Sequence, residues 1–272
     1  MRELVTLIFV ASFALVTQTL AQTPAQAPPK PKPVAPTAAA AGKSAAASYD
    51  RTLLRPAMLK EKAPETFQVK FETTRGDFTM DVTRAWAPIG VDRFYNLVKH
   101  HYYDNMVVFR AVPGFVVQFG ISSYPAVNAA WRNADIQDDP VTQSNKRGFV
   151  TYAKTSQPNS RSTQIFISFK DNSFLDSQGF APIGVINADG MKVVEMLYDQ
   201  YGDQPTNEQD QISKLGKAFL DSKYPKLDVI KHATIVGAAA ASASTAAKPA
   251  APKAVAPPAK KPQYWLWETP GH

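Results

Sequence analysis

Between Phe67 and Val236 the large apolar residues arrive in short runs divided by turn-formers, and this pattern narrows the choice of fold more than any single motif. The runs are Met106 to Val112, Phe115 to Phe119, Phe149 to Ala153, Gln164 to Phe169 and Ala181 to Ile186. Pieces containing Pro113-Gly114, Pro125, Asn128, Asn145, Pro158-Asn159 and Asp171-Asn172 separate them. Each run is too short for an ordinary helix and is bounded by residues that end strands, so each predicts a strand. Many short strands joined by loops indicate a barrel or a sandwich.

The flanking segments fit a mainly β chain. Phe67 to Thr73 and Phe78 to Val82 alternate apolar with polar around Arg75-Gly76-Asp77, which predicts a hairpin in which glycine accounts for the triplet. Pro88 stands where a helix begins, and Val91, Phe94, Leu97 and Val98 follow at helical spacing as far as His100 and His101. No carboxylate or cysteine joins the two histidines at ligand spacing, so no metal site is expected. Gly190 precedes a second helix that buries Val193, Val194, Met196 and Leu197. Asp203 to Tyr224 predicts a short outer helix, and Leu227 to Val236 a last strand.

The two ends have a different composition. Segments of Ala, Pro, Gln, Thr and Lys bury too little surface to offset the entropy of ordering. The expected division is therefore a leader at 1–21, an Ala/Pro-rich linker at 22–63, one folded domain at 64–237 and a tail at 238–272 that ends in YWLWETP with Trp265 and Trp267. Of the net charge of +7, each Ala/Pro-rich end carries +3, leaving +1 on the domain, which does not suit nucleic acid. Met1 to Ala21 has the outline of a signal peptide, with Glu3 in its charged start leaving an uncleaved anchor as the alternative. Without cysteine there is no disulfide and no acylation site, and export to a bacterial periplasm or beyond is expected, with no stable membrane insertion after cleavage.

Within the domain, Phe109 to Gly120 reads FRAVPGFVVQFG. If both halves are extended, Val108 and Arg110 share a face, as do Val116 and Gln118, so a guanidinium and an amide arrive among hydrophobes. Two readings stand at this point: a strand-end arginine at the surface, or a built polar site whose groups need partners. No phosphate loop, nucleophile elbow or paired carboxylates accompany it, and Asp138-Asp139 before Pro140 reads as a loop with a solvated charge pair.

The order of hairpin, APxxVxxFxxLV-type helix, YYD, FRAVPGFVVQFG, STQIFIS and FLD resembles the cyclophilin family of peptidyl-prolyl cis/trans isomerases over about Phe67 to Val236. The resemblance implies a closed eight-stranded antiparallel barrel capped by two α-helices, with no cofactor and no metal. It implies Arg110 as the catalytic arginine with Gln118 beside it. Phe115, Val116, Gln164, Phe166, Phe174, Leu175 and Phe180 would form the substrate pocket, and Ala153 and Lys154 would hold the substrate backbone. Four positions depart from the family's usual residues: Val116 for methionine, Lys154 for asparagine, Phe174 for tryptophan and Phe180 for histidine or tyrosine. The implied partners are proline-containing polypeptides met by a monomer during protein folding. The alternative is a proline-peptide binding or chaperone module of the same fold that does not accelerate rotation.

Overall fold

The computed structural model describes Tyr49 to Ala238; the leader-like start, most of the linker and the tail with Trp265 and Trp267 lie outside the described residues. The hairpin forms as β1 (Thr66–Thr73) and β2 (Gly76–Thr83), in register from Thr66 opposite Thr83 to Thr73 opposite Gly76. Alternation decides which face is buried: Phe67, Val69 and Phe71 on β1 and Phe78, Met80 and Val82 on β2 all enter the core. Arg75 in the turn, with its side chain partly exposed, donates from Nε to Asp228 Oδ1 at 2.9 Å.

The other strands are β3 (Met106–Val107), β4 (Arg110–Ala111), β5 (Val116–Phe119), β6 (Phe149–Tyr152), β7 (Ile165–Ser168), β8 (Pro182–Ile186) and β9 (Val229–Ala238). They make one curled antiparallel sheet in the order β3-β9-β1-β2-β8-β6-β7-β5-β4. Among the described residues the ladder thus has nine strands with β3 and β4 at its ends, so the mainly β antiparallel architecture stands and closure into eight strands is not shown. The count of nine has its reason in one segment: the run from Met106 was expected to be a single strand and is two. Met106, Val108 and Ala111 enter the main core, whereas Val107 and Phe109 enter a second apolar cluster. Strict alternation fails between Phe109 and Arg110, so Val108 and Arg110 do not share a face, contrary to the sequence reading.

Among the described residues five α-helices form where two capping helices and a short outer one were expected: α1 (Pro88–Lys99), α2 (Pro125–Trp131), α3 (Ala188–Val194), α4 (Gln209–Leu215) and α5 (Lys217–Lys223). On α1, Val91, Phe94, Leu97 and Val98 are buried, as their spacing requires. Gly190 lies inside α3 rather than before it, and Met196, expected on its buried side, is exposed. Residues 49–63, which the expected boundary left in the linker, pack on the domain. Leu53 and Ala63 join the core, and Trp131 Nε1 on α2 donates to Leu53 O at 2.8 Å.

Asp50 anchors this entry segment by bonding His100 Nδ1 at 2.7 Å and accepting from Thr52 N at 2.8 Å. Partial burial raises its pKa, but the bonds from His100 and Thr52 outweigh that and hold the carboxyl at about 2. A depressed folded-state pKa stabilises above the unfolded value, and the contribution fades as pH falls through the folded one. Asp50→Ala is therefore expected to destabilise the protein at neutral pH and to cost progressively less from about pH 4 down to about pH 2. Urea unfolding of both proteins across that range checks it.

Candidate active site

The hairpin of β4 and β5 sets Arg110 opposite Gln118, and the β5–β7 pairing sets Gln118 opposite Phe166, two residues after Gln164. Antiparallel partners project to the same side, so the three polar side chains reach one another. Arg110 Nη1 donates to Gln118 Oε1 at 3.1 Å, and Gln118 Nε2 donates to Gln164 Oε1 at 2.8 Å. Two groups absent from the sequence reading complete the chain. Arg110 Nε donates to the Asp203 carboxylate, and Gln164 Nε2 donates to Gln209 Oε1 at 3.0 Å. Both lie in the polar segment after α3, and no local pattern in that segment marks them; pairs 93 and 45 residues apart are made by the fold alone.

Arg110 is only 3 % exposed, which decides between the two readings of its environment: it is a partnered buried cation, not a strand-end surface group. Burial pulls its pKa down from the ordinary guanidinium value and Asp203 opposes the shift, so the group stays cationic at neutral pH. The guanidinium carbon lies 5.5 Å from the centre of the Phe115 ring, a cation–π distance.

Beside the polar chain, Val116, Phe166, Leu175 and Phe180 form a separate buried cluster, with Phe115 and Ala153 partly buried against it. Phe180 meets Phe166 edge-on at 5.8 Å, and Phe174, half exposed, stacks on Phe115 at 6.2 Å. Leu175 sits on a 3-10 turn over Ser173–Gln178. Two fully buried amides, read in the sequence only as turn residues between strands, hold that turn. Asn145 Nδ2 donates to Asp176 Oδ1 at 2.7 Å and to Phe180 O at 2.8 Å, while Asn172 Nδ2 donates to Phe115 O at 3.0 Å. They fix the apolar cluster through its backbone.

The departures at Lys154 and Phe180 meet each other: Lys154 Nζ lies 5.5 Å from the Phe180 ring centre and 3.4 Å from Asp138 Oδ2. The cation stands over the ring that occupies the usual histidine or tyrosine position. Next to this contact an open cleft of about 480 Å³ is lined by Gln118, Ala153, Lys154, Gln164, Thr206 and Gln209 among others. Every residue expected in the site is thus in the polar chain, the apolar cluster or the cleft wall, except Phe174, which stacks on Phe115 from outside.

Gly120 closes the FRAVPGFVVQFG segment with φ +121°, and a Cβ there would fall 2.5 Å from Gln164 Cα and from Thr163 O. The left-handed conformation and this close approach both demand glycine. Gly120→Ala is expected to cost about 2 kcal/mol or more of stability. It should also displace Gln164, which denaturant unfolding together with the Gln164 side-chain amide signals would detect.

Residues 68–217 match the family model described as cyclophilin type peptidyl-prolyl cis-trans isomerase/CLD. The chain belongs to the cyclophilin-type peptidyl-prolyl cis-trans isomerase family. Among similar curated proteins, a peptidyl-prolyl cis-trans isomerase of Acinetobacter baylyi is 29% identical over 133 residues, spanning 47% of this chain and 70% of the relative. Peptidyl-prolyl cis-trans isomerase B of Escherichia coli is 29% identical over 140 residues, spanning 47% of this chain and 82% of that protein. Among solved structures, the cyclophilin AquaCyp293 from Hirschia baltica aligns with a TM-score of 0.47 at 16% identity, covering 65% of this chain and 76% of the other.

Proposed function

We propose that this protein accelerates rotation about X-Pro peptide bonds in polypeptide substrates, with Arg110 as the group that touches the reacting imide. Rotation costs about 18–20 kcal/mol because the amide loses its resonance when twisted. As resonance fades, the proline nitrogen regains a lone pair and accepts a hydrogen bond better than either planar form does. A fixed donor therefore stabilises the transition state more than the ground states. Arg110 is such a donor, and its rigid fork and permanent charge suit the task in a way that lysine's flexible ammonium does not.

The observation that carries this reading is a buried guanidinium that stands over the Phe115 ring of the apolar cluster and is joined through Gln118 to the wall of an open cleft. The substrate backbone runs along Ala153 and Lys154, and Gln118 and Gln164 offer amide groups to its carbonyls. The proline ring rests toward Phe115, Val116, Phe166 and Leu175. No bond is made or broken, so the residues in hand supply everything the step uses.

The test is exchange spectroscopy on a short Ala-Pro peptide. Catalytic amounts of the protein are expected to broaden and then merge the cis and trans signals. Tight peptide binding with no change in exchange rate would instead support a proline-peptide binding module. The leader-like Met1 to Ala21 supports work on exported polypeptides in the cell envelope. Cleavage after Ala21 is the expected result when the mature N-terminus is determined, and an intact Met1 would overturn that setting.

A further inference from the structure

Asp203 and Gln209 hold the two ends of the polar chain through the site, and both belong to the segment from Asp203 to Tyr224. We propose that Asp203 is a positioning residue for the rotation: acting through Arg110, its carboxylate holds the guanidinium in the orientation that donates to the twisting imide. The inference rests on the isomerase reading above.

An unrestrained arginine side chain carries about 2 kcal/mol of rotamer entropy, which a catalytic donor has to lose before it is useful. Here two acceptors remove it. Asp203 takes Nε and Gln118 takes Nη1, so opposite sides of the planar fork are pinned by different elements. That fixes both the position and the plane of the group. Nη2 has no partner among the described residues, so a donor remains for a substrate atom. The negative charge at Nε also balances a cation whose side chain is only 4 % exposed, which makes a permanent charge tolerable there.

Asp203 is itself held. Its carbonyl accepts from Thr206 N at 2.9 Å and from the Thr206 hydroxyl, which fixes the start of the 3-10 turn Gln204–Glu208. Beyond the turn, Ile212, Leu220 and Tyr224 pack on Val107, Phe109 and Ile121. Asn128 Nδ2 donates to Ser213 O at 3.2 Å, and Tyr224 OH donates to Glu208 Oε1 at 2.6 Å. The carboxylate is therefore presented by a packed element, as a positioning group has to be.

Asp203→Asn and Asp203→Ala, each verified as folded by thermal unfolding, are expected to lower kcat on an Ala-Pro peptide about tenfold with KM changed less than about twofold. In an Arg110→Lys background, Asp203→Asn should have no further effect. The second readout does not depend on activity: the side-chain Nε–H signal of Arg110, assigned by its loss in Arg110→Lys. It should be sharp and slow to exchange with water in the natural protein and should exchange about tenfold faster in Asp203→Asn. An unchanged kcat in Asp203→Asn, a change confined to KM, or a rise in kcat would overturn the proposal, the last by showing that the carboxylate sequesters the arginine. If the natural protein does not accelerate rotation, the isomerase reading fails. A fast, averaged Nε–H signal in the natural protein would by itself refute the bracing role.

Discussion

Arg110→Ala is expected to lower kcat/KM for an Ala-Pro peptide by about a hundredfold or more, the scale on which removing one preorganised donor from a water-poor site reduces a rate. The loss should fall mainly on kcat, because the proposed bond strengthens only as the imide twists. Arg110→Lys should recover little of it, since an ammonium cannot reach Asp203 and Gln118 with a planar fork and still present a donor. Some stability should go as well: the alanine variant leaves Gln118 Oε1 without its donor in a region where Gln118 is only 4 % exposed. Exchange spectroscopy on folded variants separates the two effects. An unimpaired rate would show that the guanidinium does not take part in the rotation.

The largest stability effect is expected from Asp139→Ala, at about 3–5 kcal/mol by urea unfolding. The adjacent carboxylates Asp138 and Asp139 read in sequence as a solvated loop pair, and the structure corrects this. Asp139 is buried, accepts from Ile89 N at 3.0 Å and Gly90 N at 2.8 Å at the start of α1, and receives Arg161 Nη2 at 3.0 Å. Arg161 is itself only 1 % exposed, so removing Asp139 leaves this buried cation with Asp138 Oδ1, at 3.3 Å, as its carboxylate partner and unties a helix end together. A loss below about 1 kcal/mol would mean that water reaches this pair readily.

The β hairpin, α1 and the cores of most strands could be read from the chain because their information is local. Alternation along Thr66–Thr83 and helical spacing from Val91 to Val98 each state which face is buried without reference to anything distant. What could not be read depends on distant partners. The break after Phe109 follows from an outer cluster whose other half comes from Ile212, Leu220 and Tyr224. Asp139 looked solvated because Arg161, 22 residues on, gives no sign in sequence of pointing back at it. Within the site, Arg110, Gln118 and Gln164 were legible through the FRAVPGFVVQFG and STQIFIS motifs. Asp203, Gln209, Asn145 and Asn172 act by closing hydrogen bonds that only the assembled sheet creates.

The outer apolar cluster ties the segment around α4 and α5 to the stretch of chain that carries Arg110, since Val107 and Phe109 are its partners there. A sub-global opening that peels these helices away would uncover the flank of that stretch and release the arginine in the same event. Warming should therefore switch the enzyme off before the sheet melts. The gap between the two temperatures would measure how firmly the outer helices are seated.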